Sequence, residues 1–173
     1  MNDIVLPHDD TERYHAIADE LGYDTIHVVG NDTLLADERN DVDKHHDKHE
    51  LVLATSQWAF NDARVDIIFN LEATQRDDFI HHRASGMNHV LAKQAAANET
   101  AIGFNFSLCY DDKKSTFLGR MQQNVHICRK YNVPMVIASF AVDPMEMRHP
   151  KDLEAFGRVI GMHQQEATDA LQW

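Results

Sequence analysis

The 173-residue chain has two cysteines, Cys109 and Cys128, and no CxxC pair. A zinc ribbon is thereby excluded, and such sparse cysteine suits a reducing compartment. No apolar run approaches the roughly 20 residues that span a bilayer. The N-terminal MNDIVLPHDDTER is acidic and lacks the basic flank and apolar core of a signal peptide. Neither GxGxxG nor GxxxxGK[ST] follows any apolar run, and there is no GxSxG elbow. These absences predict a cytoplasmic chain without a membrane span, a dinucleotide fingerprint, a P-loop or a serine nucleophile.

Lysine is also scarce, with seven residues, and the charge is lopsided. Sixteen Lys and Arg oppose twenty-eight Asp and Glu, a net charge of −12, and Asp outnumbers Glu by 19 to 9. Residues 1–50 carry fourteen acids against four bases, whereas residues 51–173 carry fourteen against twelve. Bulk acidity counts against phosphate ligands, which need a basic footprint. A chain suited to a salt-rich cytoplasm has the same composition. There the Debye length falls to about 3 Å, so local basic clusters outweigh net charge.

With 43% apolar and 25% charged residues, the chain is expected to fold as one domain over residues 1–173. Six short apolar runs read as buried parallel strands: Ile4–Leu6, Ile26–Val29, Leu51–Ala54, Asp66–Phe69, Ala101–Phe106 and Met135–Ala138. Amphipathic helices alternate with them. Tyr14, Ile17, Ala18 and Leu21 form one stripe, with Asp9, Asp10 and Thr11 as cap candidates and Gly22 as the stop. Met87, Val90 and Leu91 mark a second stripe, and Phe117, Met121, Val125 and Cys128 a third. Pro150 opens a fourth helix, leading to Leu153, Phe156 and Ile160. Residues 36–50, ADERNDVDKHHDKHE, are charge-dense and read as a solvated helix or loop, a surface or irregular insert. The alternation predicts parallel βα units, either an open sheet or a shortened barrel.

The candidates for chemistry are few. His45 and His49 stand at i, i+4, half of a zinc site, but without the general base of HExxH. Cys109 has no histidine at an instructive spacing, and Cys128 falls on an apolar stripe. No catalytic residue and no metal site is predicted. The bases are better organised. Arg76 and Arg83 follow the fourth strand run, Lys113 and Lys114 the fifth, and Arg148 and Lys151 the sixth. Three successive βα loops would then present cations at one end of a parallel sheet, a rim able to hold RNA phosphates.

Residues from about 66 to 162 resemble the archaeal and eukaryotic ribonuclease P protein component 3 family, the thirty-kilodalton subunit. The resemblance rests on Val65–Ile68, on Ser85-Gly86-Met87-Asn88-His89-Val90-Leu91-Ala92, on Ala101–Phe106, on Asn124–Tyr131 with Val133–Ser139, and on His149–Leu153. It implies a TIM-barrel-like α/β fold, related to metal-dependent phosphoesterase (PHP) barrels but without their metal ligands. It also implies a noncatalytic subunit of an archaeal ribonuclease P, whose RNA removes the 5′ leader from precursor tRNA. The implied partners are ribonuclease P RNA, precursor tRNA, protein component 2 and other protein subunits. No cofactor is expected on the chain itself, and Mg2+ is expected on the RNA.

The expected RNA contacts are Arg76, Arg83, Lys113, Lys114, Arg148 and Lys151, with His82 and Ser85 as weaker additions. Asp66, His89, Asn105, Ser139 and Asp152 belong to the resemblance and read as scaffold. Two alternatives remain: a phosphoesterase-like barrel with a metal on His8, His45 and His49, and a protein–protein adaptor whose acidic N-terminal third meets a basic partner.

Overall fold

The computed structural model describes residues 1–7 and 11–173. His8, Asp9 and Asp10, one candidate ligand and two candidate caps, lie outside the described residues. All six apolar runs form strands, and a seventh joins them. In chain order the elements are β1 (Asn2–Val5), α1 (Thr11–Leu21), β2 (Thr25–Val28), β3 (Thr33–Ala36), α2 (Arg39–His45), β4 (Leu51–Ala54) and β5 (Ile67–Phe69). Then follow α3 (His89–Asn98), β6 (Ala101–Asn105), α4 (Lys114–Tyr131), β7 (Met135–Ala138), α5 (Pro150–Val159) and α6 (Gln164–Asp169).

The strands pair in parallel as β1-β2 and as β3-β4-β5-β6-β7. Single parallel bridges join the two sets at both seams, Val29 to Thr33 and Val5 to Ala141. The result is a small TIM-barrel-like ring. The Val5 seam is reinforced by buried Asp3. Its Oδ1 accepts from the Ser139 and Ile4 amides at 2.6 and 2.9 Å, and its Oδ2 accepts from the Ser139 hydroxyl at 2.7 Å. Burial raises the Asp3 carboxyl to about 7 in spite of these bonds.

Pleat alternation sorts the strand side chains into two sets. Leu51, Leu53, Ile67, Phe69, Ala101, Val136 and Ala138 pack together with Ile4 and Phe140 around the barrel axis. Their neighbours Val52, Ala54, Ile68, Ile102, Phe104 and Ile137 pack outward against Ala18, Ala92, Met121 and Leu153 of the helices. Both faces of β4, β5 and β6 are thus dry, which is why those runs are continuously apolar. The axis is narrow. A Cβ at Gly103 would lie 2.9 Å from Ile67 Cγ2 and 3.0 Å from Phe69 Cβ, beneath the stacked rings of Phe69 and Phe140.

Of the two readings of residues 36–50, the surface helix is the one that forms: Ala36 closes β3, α2 follows, and a single 3-10 turn over His46–Lys48 leads toward β4, with most side chains exposed. Val42 is the one buried side chain of α2, yet it is fully buried, and with β3 this makes a minimal βα unit. The second helical stripe needs correction. Met87 is buried ahead of α3, Asn88 caps the helix by accepting from the Val90 and Leu91 amides, and Val90 is exposed. Ala92 and Ala95 face the core instead, where small side chains let α3 approach closely. The other three stripes lie on helices as expected, and His149 caps α5 ahead of Pro150.

Candidate nucleic-acid interface

Because the strands are parallel, the segments after β5, β6 and β7 all emerge at one end of the barrel. The longest of them, residues 70–88, is held by one helix. Along α4, Arg120 and Asn124 recur within the apolar stripe of Phe117, Met121, Val125 and Cys128, and both are buried. Arg120 donates to the carbonyls of Glu72 at 2.8 Å, Thr74 at 3.0 Å and Arg76 at 2.5 Å, and to Asp78 Oδ1 at 2.8 Å. Asn124 donates to Glu72 Oε1 at 2.7 Å and to the Ser85 carbonyl at 2.9 Å. Gln123 donates to the Arg83 carbonyl and the Ser85 hydroxyl, and accepts from the Arg83 amide. One helical face therefore satisfies a loop that has no ladder of its own.

Charge follows from this clamp. Burial raises Glu72 to about 7, outweighing its bond from Asn124 and the nearby Arg120 charge. Burial also pushes Asp78 up, but Arg120, the Ala84 amide and Arg83 more than offset it, and its carboxyl ends below the usual range. At the far end of the loop, Gly86 adopts φ +76°, and a Cβ there would meet the Leu71 carbonyl oxygen at 2.3 Å. Only glycine fits on both counts. Asn70, also left-handed at φ 58°, opens the loop and accepts from Asn105 Nδ2 at 2.8 Å. Between the loop, Thr55 and Gln57 lies an open cleft of about 670 Å³.

Four of the eight expected contacts line this cleft: Arg76, His82, Arg83 and Ser85. They differ in availability. Arg76 is exposed, and its guanidinium is in no ion pair among the described residues. Arg83 is exposed but paired with Asp78 at 3.2 Å. His82 is exposed and stacks on Phe79 with ring centroids 4.5 Å apart. Ser85 is 1% exposed and its hydroxyl is taken by Gln123, so it shapes the loop from within. Arg120, not singled out from the sequence, is the buried clamp; the signal was a charged residue inside an apolar stripe.

Lys113 and Lys114 stand exposed at the start of α4, where Asp111 Oδ1 accepts from the Lys113 amide at 2.7 Å. Lys151 is exposed in the first turn of α5. Arg148 is half-buried: it donates to the Met145 and Met147 carbonyls and lies 5.3 Å from the Tyr110 ring centroid and 5.8 Å from that of Phe106. Among the resemblance residues, Asp66 accepts from the Val52 amide and Asn105 and Ser139 hold neighbouring segments, whereas His89 and Asp152 are exposed.

The metal alternative finds little. His45 ends α2, and its carbonyl is 2.9 Å from His49 Nδ1, so the two residues bond to each other locally. Among the described residues, the one group with ligand-like spacing is His27, Asp32 and Glu50, none of them in the proposed set. Burial raises the Cys109 thiol above its ordinary value, which lowers its thiolate fraction.

A family model described as RNase P subunit p30 matches residues 51–173. The chain belongs to that family. Among curated relatives, ribonuclease P protein component 3 of Methanosarcina mazei is 37% identical over 103 residues, covering 56% of this chain and 43% of the relative. That of Methanococcoides burtonii is 33% identical over 107 residues, covering 58% and 44%. The chain thus spans less than half the length of these relatives. A chain in the cryo-EM structure of archaeal ribonuclease P with mature tRNA matches 99% of this chain and 78% of its own, with a TM-score of 0.73 at 21% identity. The likeness in fold therefore extends through residues 1–50, beyond the part that the family model matches. Within the matched part, the clamp on α4 and the loop it holds lie together.

Proposed function

We propose that this chain is a protein subunit of ribonuclease P that supports the catalytic RNA in removing the 5′ leader from precursor tRNA. Family membership over residues 51–173 carries this reading. The chemistry of the interface agrees with it. Arg76, Lys113, Lys114 and Lys151, presented by three loops at one end of the barrel, neutralise phosphates and hold RNA shape. Arg83 and Arg148 contribute at the same rim, though each is already engaged within the protein. The chain is noncatalytic in this role, and Mg2+ on the RNA supports the cleavage chemistry. Its partners are ribonuclease P RNA, precursor tRNA, component 2 and the other protein subunits, and it works in the cytoplasm. No helix among the described residues is long and apolar enough to cross a membrane.

The test is reconstitution. Cognate ribonuclease P RNA is assayed on precursor tRNA with component 2, with and without this chain, across magnesium and salt. The chain is expected to lower the magnesium requirement or raise turnover, and to be inert without RNA. Unchanged cleavage in its presence would overturn the reading, as would cleavage by the chain alone.

A further inference from the structure

The cleft beside residues 70–88 has features that phosphate neutralisation does not require. The Phe79 amide donates to the His82 carbonyl at 2.9 Å, closing a tight turn that carries Ile80 at its tip, 96% exposed. The turn stacks Phe79 on His82 with 19° between the rings, yet leaves Phe79 60% exposed. The pair leaves a flat aromatic face open at the cleft, and every nucleobase offers a flat partner for it.

The cleft behind this pair also carries amides with open valences. Asn88 Oδ1 is occupied by the Val90 and Leu91 amides, and Asn70 Oδ1 by Asn105, so each Nδ2 is unbonded among the described residues. Gln57 donates Nε2 to the Gly86 carbonyl at 3.2 Å and keeps Oε1 as an acceptor. Donors and acceptors together are what the edge of a base needs. Arg76 at the same cleft supplies a cation for the adjoining phosphate. The volume of about 670 Å³ lies in the range of small-ligand sites. The wall is pre-ordered by Arg120, Gln123 and Asn124, so little loop freedom is lost on binding.

We propose that this cleft seats an unpaired RNA base, stacked on the Phe79–His82 pair, with its flanking phosphate on Arg76. The inference rests on the RNA-supporting reading above and adds to it a preference for single-stranded over double-stranded RNA at this site. Bases inside an A-form helix are already stacked and cannot enter a cleft. An apolar segment of another protein subunit is the rival occupant. The polar amides and the free guanidinium favour the nucleotide.

The probes are an eight-nucleotide single-stranded RNA, the same RNA with one abasic position at each site in turn, and the matching duplex, titrated into the full chain. Phe79 is exposed, so Phe79→Ala is expected to fold normally, as circular dichroism will verify. Phe79→Ala is expected to weaken single-strand binding about tenfold and to leave duplex binding unchanged. Phe79→Trp is expected to retain affinity, with indole fluorescence quenched by the intact RNA and not when the docked position is abasic. Lys113→Ala with Lys114→Ala is expected to weaken both RNA forms alike, which reports the phosphate rim separately. Equal binding of strand and duplex, unaffected by Phe79→Ala, would overturn the base site while leaving the RNA role standing. Loss of protein-subunit association in Phe79→Ala with both RNA affinities intact would overturn it in favour of the rival.

Discussion

The arginines at the two ends of the barrel are used differently. At the end where the strands begin, Arg64 and Arg129 are held in ion pairs within the protein, while Lys44, Lys48 and Arg158 stay exposed. Arg64 donates to Asp62 and Asp43, holding the Asp62 carboxyl down at about 2, and Arg129 does the same for Glu166. Lys93 and Lys130 lie near the Tyr131 ring. At the other end, Arg76, Lys113, Lys114 and Lys151 form no ion pair among the described residues, and the one fully buried cation, Arg120, holds up the loop that displays Arg76. Net charge is therefore a poor guide to this molecule. What matters to a phosphate is which cations have no carboxylate of their own.

The sharpest way to break the contrast is to remove the clamp. Arg120→Ala leaves three carbonyls without this donor, takes one of three donors from Asp78, and is expected to cost about 3 kcal/mol of stability. It is read as a fall in the thermal midpoint, with faster proteolysis within residues 72–88.

Next in size is a pH effect at the same loop. A carboxyl raised to about 7 holds its proton more tightly in the folded than in the unfolded chain. Stability from Glu72 is thus greatest at low pH and declines as pH rises from about 4 through 7. Glu72→Gln keeps the Oε1 acceptor for Asn124, and Glu72 Oε2 has no partner to lose. The variant is expected to melt a few degrees above the parent (roughly 2–4 °C per kcal/mol) at pH 8, with a smaller margin at pH 5. Melts that shift in parallel across that range would refute the assignment.

The smallest effects compare the two ends directly. Arg129→Ala breaks a partly exposed pair and is expected to cost at most about 1 kcal/mol, with RNA affinity unchanged. Lys113→Ala with Lys114→Ala should move stability by less than about 0.5 kcal/mol yet flatten the salt dependence of RNA binding by roughly two phosphates. If the lysine pair alters melting but not the salt slope, the division between the ends is wrong.

Much of the barrel was legible because parallel strands buried on both faces must be short, β-branched and closed by polar residues. β3 was missed because four residues, Thr33–Ala36, follow β2 after a four-residue connector, so no helical pattern separates the two. For a related reason residues 36–50 could be read only as a solvated helix or loop: a helix that buries only Val42 has no periodicity to decide between them. The rim of cations was legible because parallel order alone sends the three loops to the same end. The state of each cation was not. Arg83 and Arg76 look alike in sequence, and only the placement of Asp78 separates them.

The sequence by itself determined the alternation of strands and helices, the common end at which the three basic loops emerge, and the family, since these depend on local period and on residue order. Tertiary structure alone decided that Arg120 is scaffold, that Ser85 is enclosed, that Phe79 and His82 stack, and that the ring closes through Asp3 and Ser139. These are contacts between residues up to 136 positions apart. Whether a polar group is buried and partnered depends on what folding brings beside it, and no pattern along the chain encodes that.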